Sequence, residues 1–201
     1  DVLGGQPADP VIARLYNRLF GTTHPYAPFT PYGAEPNPTG FLQFNYSPIG
    51  IYRQSNWVAT IHGMNNDFWG SEIYATANRY GRYQSYGALE ILQPGGPAAS
   101  GWARTGWDWN KPPGTTTILL PWPKLLSENT REDVRSALNF SSALSLHGQS
   151  GIYACNFQEV TNSSMTNHNG TFAWRKSWFC FSNDIICLGS NITNNDAANP
   201  T

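Results

Sequence analysis

Apolar positions recur at helical spacing with clear boundaries only once. Asp9 is suited to cap, Pro10 to open a first turn, and Gly21 to end the run, while Ile12, Leu15 and Leu19 share one face, so a helix is predicted over 10–20. A lone amphipathic helix of about three turns is marginal in water. No later segment reads as a second helix of equal quality, so its partners are expected upstream of Asp1. Thr22 to Thr39, rich in Pro, Tyr, Gly and Thr, reads as a linker or surface loop. Beyond Gly40 the period shortens to that of strands, expected over Phe41 to Asn45, Trp57 to His62, Tyr86 to Leu92, Thr115 to Leu120, Gly151 to Phe157 and Trp174 to Leu188. The last run contains Ser182-Asn183-Asp184 and reads as a hairpin of Trp178 to Phe181 and Ile185 to Leu188, turning on Asn183-Asp184. Ser127 to Ser142 mixes acids and bases and reads as a short helix or an excursion.

Composition agrees with many short strands and long loops. In 201 residues, Gly 19 and Pro 15 supply turns, and an aromatic share of 14% beside a charged share of only 12% argues against a helical bundle. Eight Trp and 40% hydrophobic residues exclude wholesale disorder, and a net charge of -1 lacks the basic footprint of a nucleic-acid binder. An acidic ligand would therefore need a local basic patch. There is no apolar run of about 18 residues to cross a membrane. Cys155, Cys180 and Cys187 match no zinc spacing, and the four His show no ligand spacing, so no metal or other cofactor is expected. Sequons begin at Asn45, Asn139, Asn162, Asn169 and Asn191, a weak pointer to secretion in so Asn-rich a chain.

Three blocks carry a family resemblance. The run 71–87, SEIYATANRYGRYQSYG, is followed by 106–116, GWDWNKPPGTT, and then by 174–192, WRKSWFCFSNDIICLGSNI. In content, order and spacing they resemble the polysaccharide lyase family that contains chondroitin and hyaluronate lyases. The Asn78-Arg79-Tyr80-Gly81-Arg82-Tyr83 stretch and Ala75, where the chondroitin AC and hyaluronate branch commonly has Asn, resemble the broad-specificity ABC type. The resemblance implies a mainly β chain, the start of an antiparallel β-supersandwich of the galactose mutarotase-like kind, over 40–201. Residues 1–39 would be the end of a helical toroid domain and its linker. It further implies a secreted or periplasmic parent enzyme that cleaves uronic-acid polysaccharides by β-elimination. The family's base, its Tyr and its first Arg lie in the toroid and match no position here, so this chain is expected to be an inactive fragment supplying one wall of a cleft.

The resemblance assigns Glu72 as the acid that holds the catalytic groups in place. Arg79 and Arg82 offer planar donor forks suited to sulfate or carboxylate, with Gly81 as a bulge that would bring both to one side. The alternative is that one of them pairs with Glu72 or Asp67. Trp107 and Trp109 share one face of an extended segment and would stack sugar rings, or be buried in the core; with Asn78 and the two arginines they are the expected substrate contacts. The other six Trp are assigned to packing. The expected partner is an acidic glycosaminoglycan; the competing reading is a carbohydrate-binding module without catalysis. On an Asn183-Asp184 turn, Cys180 and Cys187 would face each other, as reduced thiols in preference to a disulfide strained by so short a loop.

Overall fold

The computed structural model describes residues 9–21, 32–103, 105–126, 131–160 and 171–201. Two compact units divide the chain, Asp1–Pro38 and Thr39–Thr201. His24, His168, Asn162, Asn169 and most of the expected linker fall outside the described residues.

In the first unit, helix α1 spans Pro10–Phe20 as expected. The Asp9 carboxylate accepts from the backbone N–H groups of Val11 and Ile12, and the Gly21 N–H closes the end on the Asn17 carbonyl. The buried side carries Ala13 and Asn17, whereas Ile12, Leu15 and Leu19 stand exposed. Asn17 Nδ2 donates to the Tyr32 carbonyl, and Arg18 meets Glu35 at 2.7 Å. The segment after the helix therefore lies along its polar side.

The second unit is a mainly β, antiparallel sandwich. Strands β1 (Gly40–Phe44), β2 (Ile49–Arg53), β3 (Val58–His62) and β5 (Ala88–Leu92) form one sheet in the order β1-β2-β3-β5. The other runs β10-β9-β8-β7, from β7 (Ser141–Leu146), β8 (Ser150–Gln158), β9 (Phe172–Phe181) and β10 (Asp184–Asn194). A two-stranded ribbon pairs β4 (Ser71–Tyr74) with β6 (Arg131–Val134), and two short helices, α2 (Gly96–Ala99) and α3 (Trp122–Leu125), lie in the connections.

Alternation decides which side chains meet between the sheets. Phe41, Tyr52, Ala59 and Ile61 face Tyr153, Cys155, Phe157, Trp174, Trp178 and Cys180, all buried in one cluster. The Phe41 ring lies against Gly151, where any side chain would collide with it. Both borders of the sandwich are tied by hydrogen bonds. On one side the Phe41 N–H donates to the Gly148 carbonyl, and the Tyr153 hydroxyl donates to the Pro48 carbonyl at 2.6 Å while accepting from Ser141 Oγ. On the other, the Tyr52 hydroxyl donates to the Ser182 carbonyl at 2.6 Å. Lys176 is largely buried between the Trp174 and Trp178 rings, and its ammonium donates to the carbonyls of Gly87 and Gly114.

Several expectations change. Thr115 to Leu120 is extended but unpaired as a strand; it is pinned by the Tyr83 hydroxyl on the Ile118 carbonyl and by Asn110, which both donates to and accepts from the Leu120 backbone. The excursion after Leu126 contains β6 and the start of β7 in place of a helix. The last hairpin turns one residue earlier than expected, on Ser182 and Asn183, because Ser182 adopts a φ of 52°. This pairs Cys180 with Ile185 and Cys187 with Trp178. All three thiols are free, Cys155 and Cys180 buried and Cys187 exposed.

Arg82 is also displaced from its expected place. Residues 81–83 form a 3-10 turn and not a strand bulge, which carries the guanidinium under the ribbon, where it is 1% exposed and meets Glu132 at 3.1 Å. The adjoining Tyr83 ring meets Tyr86 edge-on, and Tyr86 meets Phe157 at a tilt. Removing one member of a buried pair strands the other charge, so Arg82→Met should destabilise the chain by about 3–5 kcal/mol. Urea unfolding measures this, and a midpoint equal to that of the parent chain would show that the pair carries no stability.

Burial pushes the Cys155 and Cys180 thiols up to about 12 and raises the phenols of Tyr83, Tyr86 and Tyr153. These groups hold protons in the folded chain that the unfolded chain releases at lower pH. Their stabilising contribution is complete below the unfolded thiol range near about pH 8.5 and is lost as pH climbs toward about 12. The urea midpoint is expected to decline over that window, and to decline less in the double variant Cys155→Ala, Cys180→Ala. An equal decline in the variant would assign the alkaline loss to other groups.

Candidate functional site

The ribbon β4–β6 has a buried side and an open side. Ser71, Ile73, Glu132 and Val134 point inward, and Glu72, Tyr74, Arg131 and Asp133 point outward. Register sets Glu72 directly opposite Asp133 and Tyr74 opposite Arg131. Arg131 Nη2 lies 2.6 Å from Glu72 Oε1 while its Nε donates to Asp133 Oδ1 at 3.0 Å. Arg135 approaches the other Asp133 oxygen at 3.7 Å, and both guanidiniums lie over the Trp69 ring, at 5.9 and 5.0 Å from its centre. The Tyr74 phenol is raised above its ordinary range, chiefly by its hydrogen bond to the Glu72 carboxylate. Arg131 is held more firmly protonated, first by its hydrogen bond to Asp133.

Glu72 stands at the border of an open depression of about 360 Å³ whose walls include Tyr46, Phe68 and Trp69. Trp69, assigned to packing by sequence, is 47% exposed. An aromatic-walled hollow beside a carboxylate and a guanidinium presents stacking surface and charged hydrogen-bonding groups together.

The turn after β4 is built by Asn78. Its backbone takes a φ of 49°, and its amide donates to the Glu72 carbonyl at 2.7 Å and to Gln84 Oε1 at 3.1 Å. Both amide hydrogens are thus engaged in holding the loop, and Gly81 is required beside it because a Cβ there would strike the Asn78 side chain. Arg79 is exposed, with its guanidinium 5.9 Å from the centre of the Tyr80 ring. Arg82 is separated from these groups by the ribbon's buried side.

Tyr80 opens a run of aromatic contacts. Its ring centre is 4.9 Å from Trp122 and 6.3 Å from Trp109, Trp109 is 6.4 Å from Trp107, and Trp107 is 6.4 Å from Trp102. Trp107 and Trp109 do not form the co-facial platform expected of them: their planes meet at 72°, and Trp109 also packs on the core. Trp102 and Trp122, assigned to packing by sequence, are 43% and 49% exposed.

The structure therefore ties Asn78 to the Glu72 backbone, leaves Arg79 exposed over Tyr80 on the same loop, links Tyr80 to Trp109 and Trp109 to Trp107, and removes Arg82 to the interior. Sequence reading overlooked Arg131, Asp133, Arg135, Trp69 and Tyr74. The signal was masked: Arg131-Glu132-Asp133-Val134-Arg135 holds four charges in five residues, and the inward Glu132 hides the period of a strand. Among the described residues no group of His, Cys, Asp or Glu is arranged to hold a metal ion.

Comparison with known proteins agrees with this architecture. The chain is 38% identical over 160 residues to chondroitin sulfate ABC endolyase of Proteus vulgaris, covering 79% of this chain and 16% of that protein. It is 34% identical over 209 residues to chondroitin sulfate ABC exolyase of the same organism, covering 98% and 20%. A xanthan lyase of Paenibacillus has the same fold at a TM-score of 0.64 and 19% identity, over 84% of this chain and 15% of that one. A chondroitin AC lyase of Streptomyces coelicolor follows at 0.61 and 19%, over 90% and 26%. The chain spans a fifth or less of the length of these curated relatives. Residues 39–201 match the sequence profile of polysaccharide lyase family 8, super-sandwich domain, and the chain belongs to that family.

Proposed function

We propose that this chain forms the β-domain wall of a glycosaminoglycan lyase active site, acting on chondroitin or dermatan sulfate, or on hyaluronan, by β-elimination. The observation that carries the reading is Glu72: an acid on the open side of a short strand, oriented by Arg131 at 2.6 Å and bordering an aromatic hollow, in a chain of this family. Removing the proton beside a uronate carboxylate builds a second negative charge next to the first, so cations and donors must be in place before the proton leaves. A base must reach that proton, and an acid must protonate the departing glycosidic oxygen. Glu72 touches neither proton in this reading; it holds the groups that move them. Arg79 would meet sulfate or carboxylate, and Trp107 with Trp109 would receive sugar rings edge and face. The base, its Tyr and the first Arg belong to a helical toroid in the same parent chain, against which residues 40–201 would pack; 1–39 would be the toroid's last helix and linker. Such an enzyme would work outside the cytoplasm, secreted or periplasmic, where its polymer is found.

The second reading, a module that binds glycan without cleaving it, is favoured by the aromatic run from Tyr80 to Trp102. Ultraviolet absorbance separates the two readings, because each elimination leaves a conjugated double bond. The 201-residue chain alone should give no rise on chondroitin sulfate, whereas the full-length protein carrying it should. A clear rise with the short chain would refute the division of roles.

In that full-length protein, Glu72→Ala is expected to lower kcat by about 10²–10³, or about 3–4 kcal/mol, with little change in KM. Arg79→Ala should instead raise KM, more at low salt, since the attraction of an exposed cation for an anionic chain is screened. Steady-state kinetics at two ionic strengths measure both. A Glu72→Ala rate within about threefold of the parent would leave Glu72 a structural acid.

A further inference from the structure

An antiparallel register that places two carboxylates directly opposite each other on one face is unfavourable, because like charges at that spacing repel. Glu72 and Asp133 are such a pair. One side chain resolves the conflict. Arg131, two residues before Asp133 on the same strand, sends Nη2 to Glu72 at 2.6 Å and Nε to Asp133 at 3.0 Å, so separate edges of one planar fork serve the two acids. Its position is fixed from below by the Trp69 ring, and Asp133 is fixed from its far side by Arg135. A Lys in place of Arg131 has a single ammonium point and no fork.

We propose that Arg131 is the positioning residue of Glu72: by bridging Glu72 to Asp133 it overcomes their repulsion and holds the Glu72 carboxylate in the orientation the elimination needs, an inference that rests on the role given to Glu72 above. Arg131 and Glu72 are both partly open to water, so the bridge contributes little to folding stability. Its effect is on direction. Without it, among the described residues only Arg135 at 3.7 Å offsets Asp133 and only Tyr74 still holds Glu72, and the Glu72 carboxylate turns away from Asp133.

The test uses the full-length protein carrying this chain, with Arg131→Ala, Arg131→Lys, Glu72→Ala and the double variant Arg131→Ala, Glu72→Ala. Arg131→Ala should lower kcat by about tenfold to a hundredfold with KM changed less than about threefold, and Arg131→Lys should recover part of the loss. The double variant should be no slower than Glu72→Ala by more than about threefold, since residues acting as one unit are not additive. The thermal midpoint of Arg131→Ala should stay close to that of the parent; a large drop at unchanged kcat would make Arg131 a structural residue only. If Glu72→Ala is slow while Arg131→Ala keeps the parent rate, the inference fails and the lyase reading stands. If both keep the parent rate, the role of Glu72 fails as well. Losses that multiply in the double variant would mean that Arg131 acts apart from Glu72 and would also overturn the inference. A crystal structure of the Arg131→Ala protein gives a readout independent of activity: the Glu72 carboxylate should be swung away from Asp133, and finding it in place would refute the proposal.

Discussion

The buried ion pair between Arg82 and Glu132 is the constraint from which the rest of the candidate site follows. It joins the 3-10 turn after β4 directly to the inner side of β6. Two charges withdrawn from water carry a desolvation cost that their attraction offsets only in good geometry, so the contact selects one arrangement more than it adds net stability. Because strand side chains alternate, fixing Glu132 inward forces Arg131 and Asp133 outward. The open side of the ribbon is thus determined from beneath. Ile73, paired with Glu132, does the same for Glu72 on the partner strand.

Much of this was legible in the chain. Helix α1 has cap, proline and stop in the order physics favours, and β8 and β9 carry long, apolar alternation. β2 was missed because Gly50 interrupts its pattern, and that glycine is there to admit the Phe41 and Tyr153 rings. β4 and β6 are four residues each, too short for a period to emerge from Ser-Glu-Ile-Tyr or Arg-Glu-Asp-Val. Glu72 and Arg79 were singled out from the blocks around them. Arg131 was not, since what makes it matter is a register, and register is set by contacts distant in sequence. Arg82 misled because a three-residue turn, and not a strand, decides its side.

The aromatic residues divide along the same line. Trp174 and Trp178 sit on alternating strand positions and fill the sandwich, as alternation demands. Trp69, Trp102 and Trp122 lie in connections, where no period announces their orientation, and all three reach the surface. Composition alone treats eight indoles alike; the difference between core and candidate ligand surface arises from the element each one occupies.

Lys176 gives the molecule a further property. Its ammonium reaches the carbonyls of Gly87, just before β5, and Gly114, at the end of the connection that carries Trp102, Trp107 and Trp109, and the Leu89 N–H on the Pro113 carbonyl and the Thr116 N–H on the Tyr86 carbonyl tie that end back to the start of β5. A loop whose ends are held together by the scaffold contributes its length only weakly to the entropy of closure. Among the described residues, only the part of the connection between Leu92 and Trp107 is consequently free of the core, since β5 before it is paired with β3 and Trp109 after it packs on the sandwich. Its length and its exposed aromatic residues can change while β5 and the strands beside it keep their register, so the surface it presents is decoupled from the sandwich that bears it.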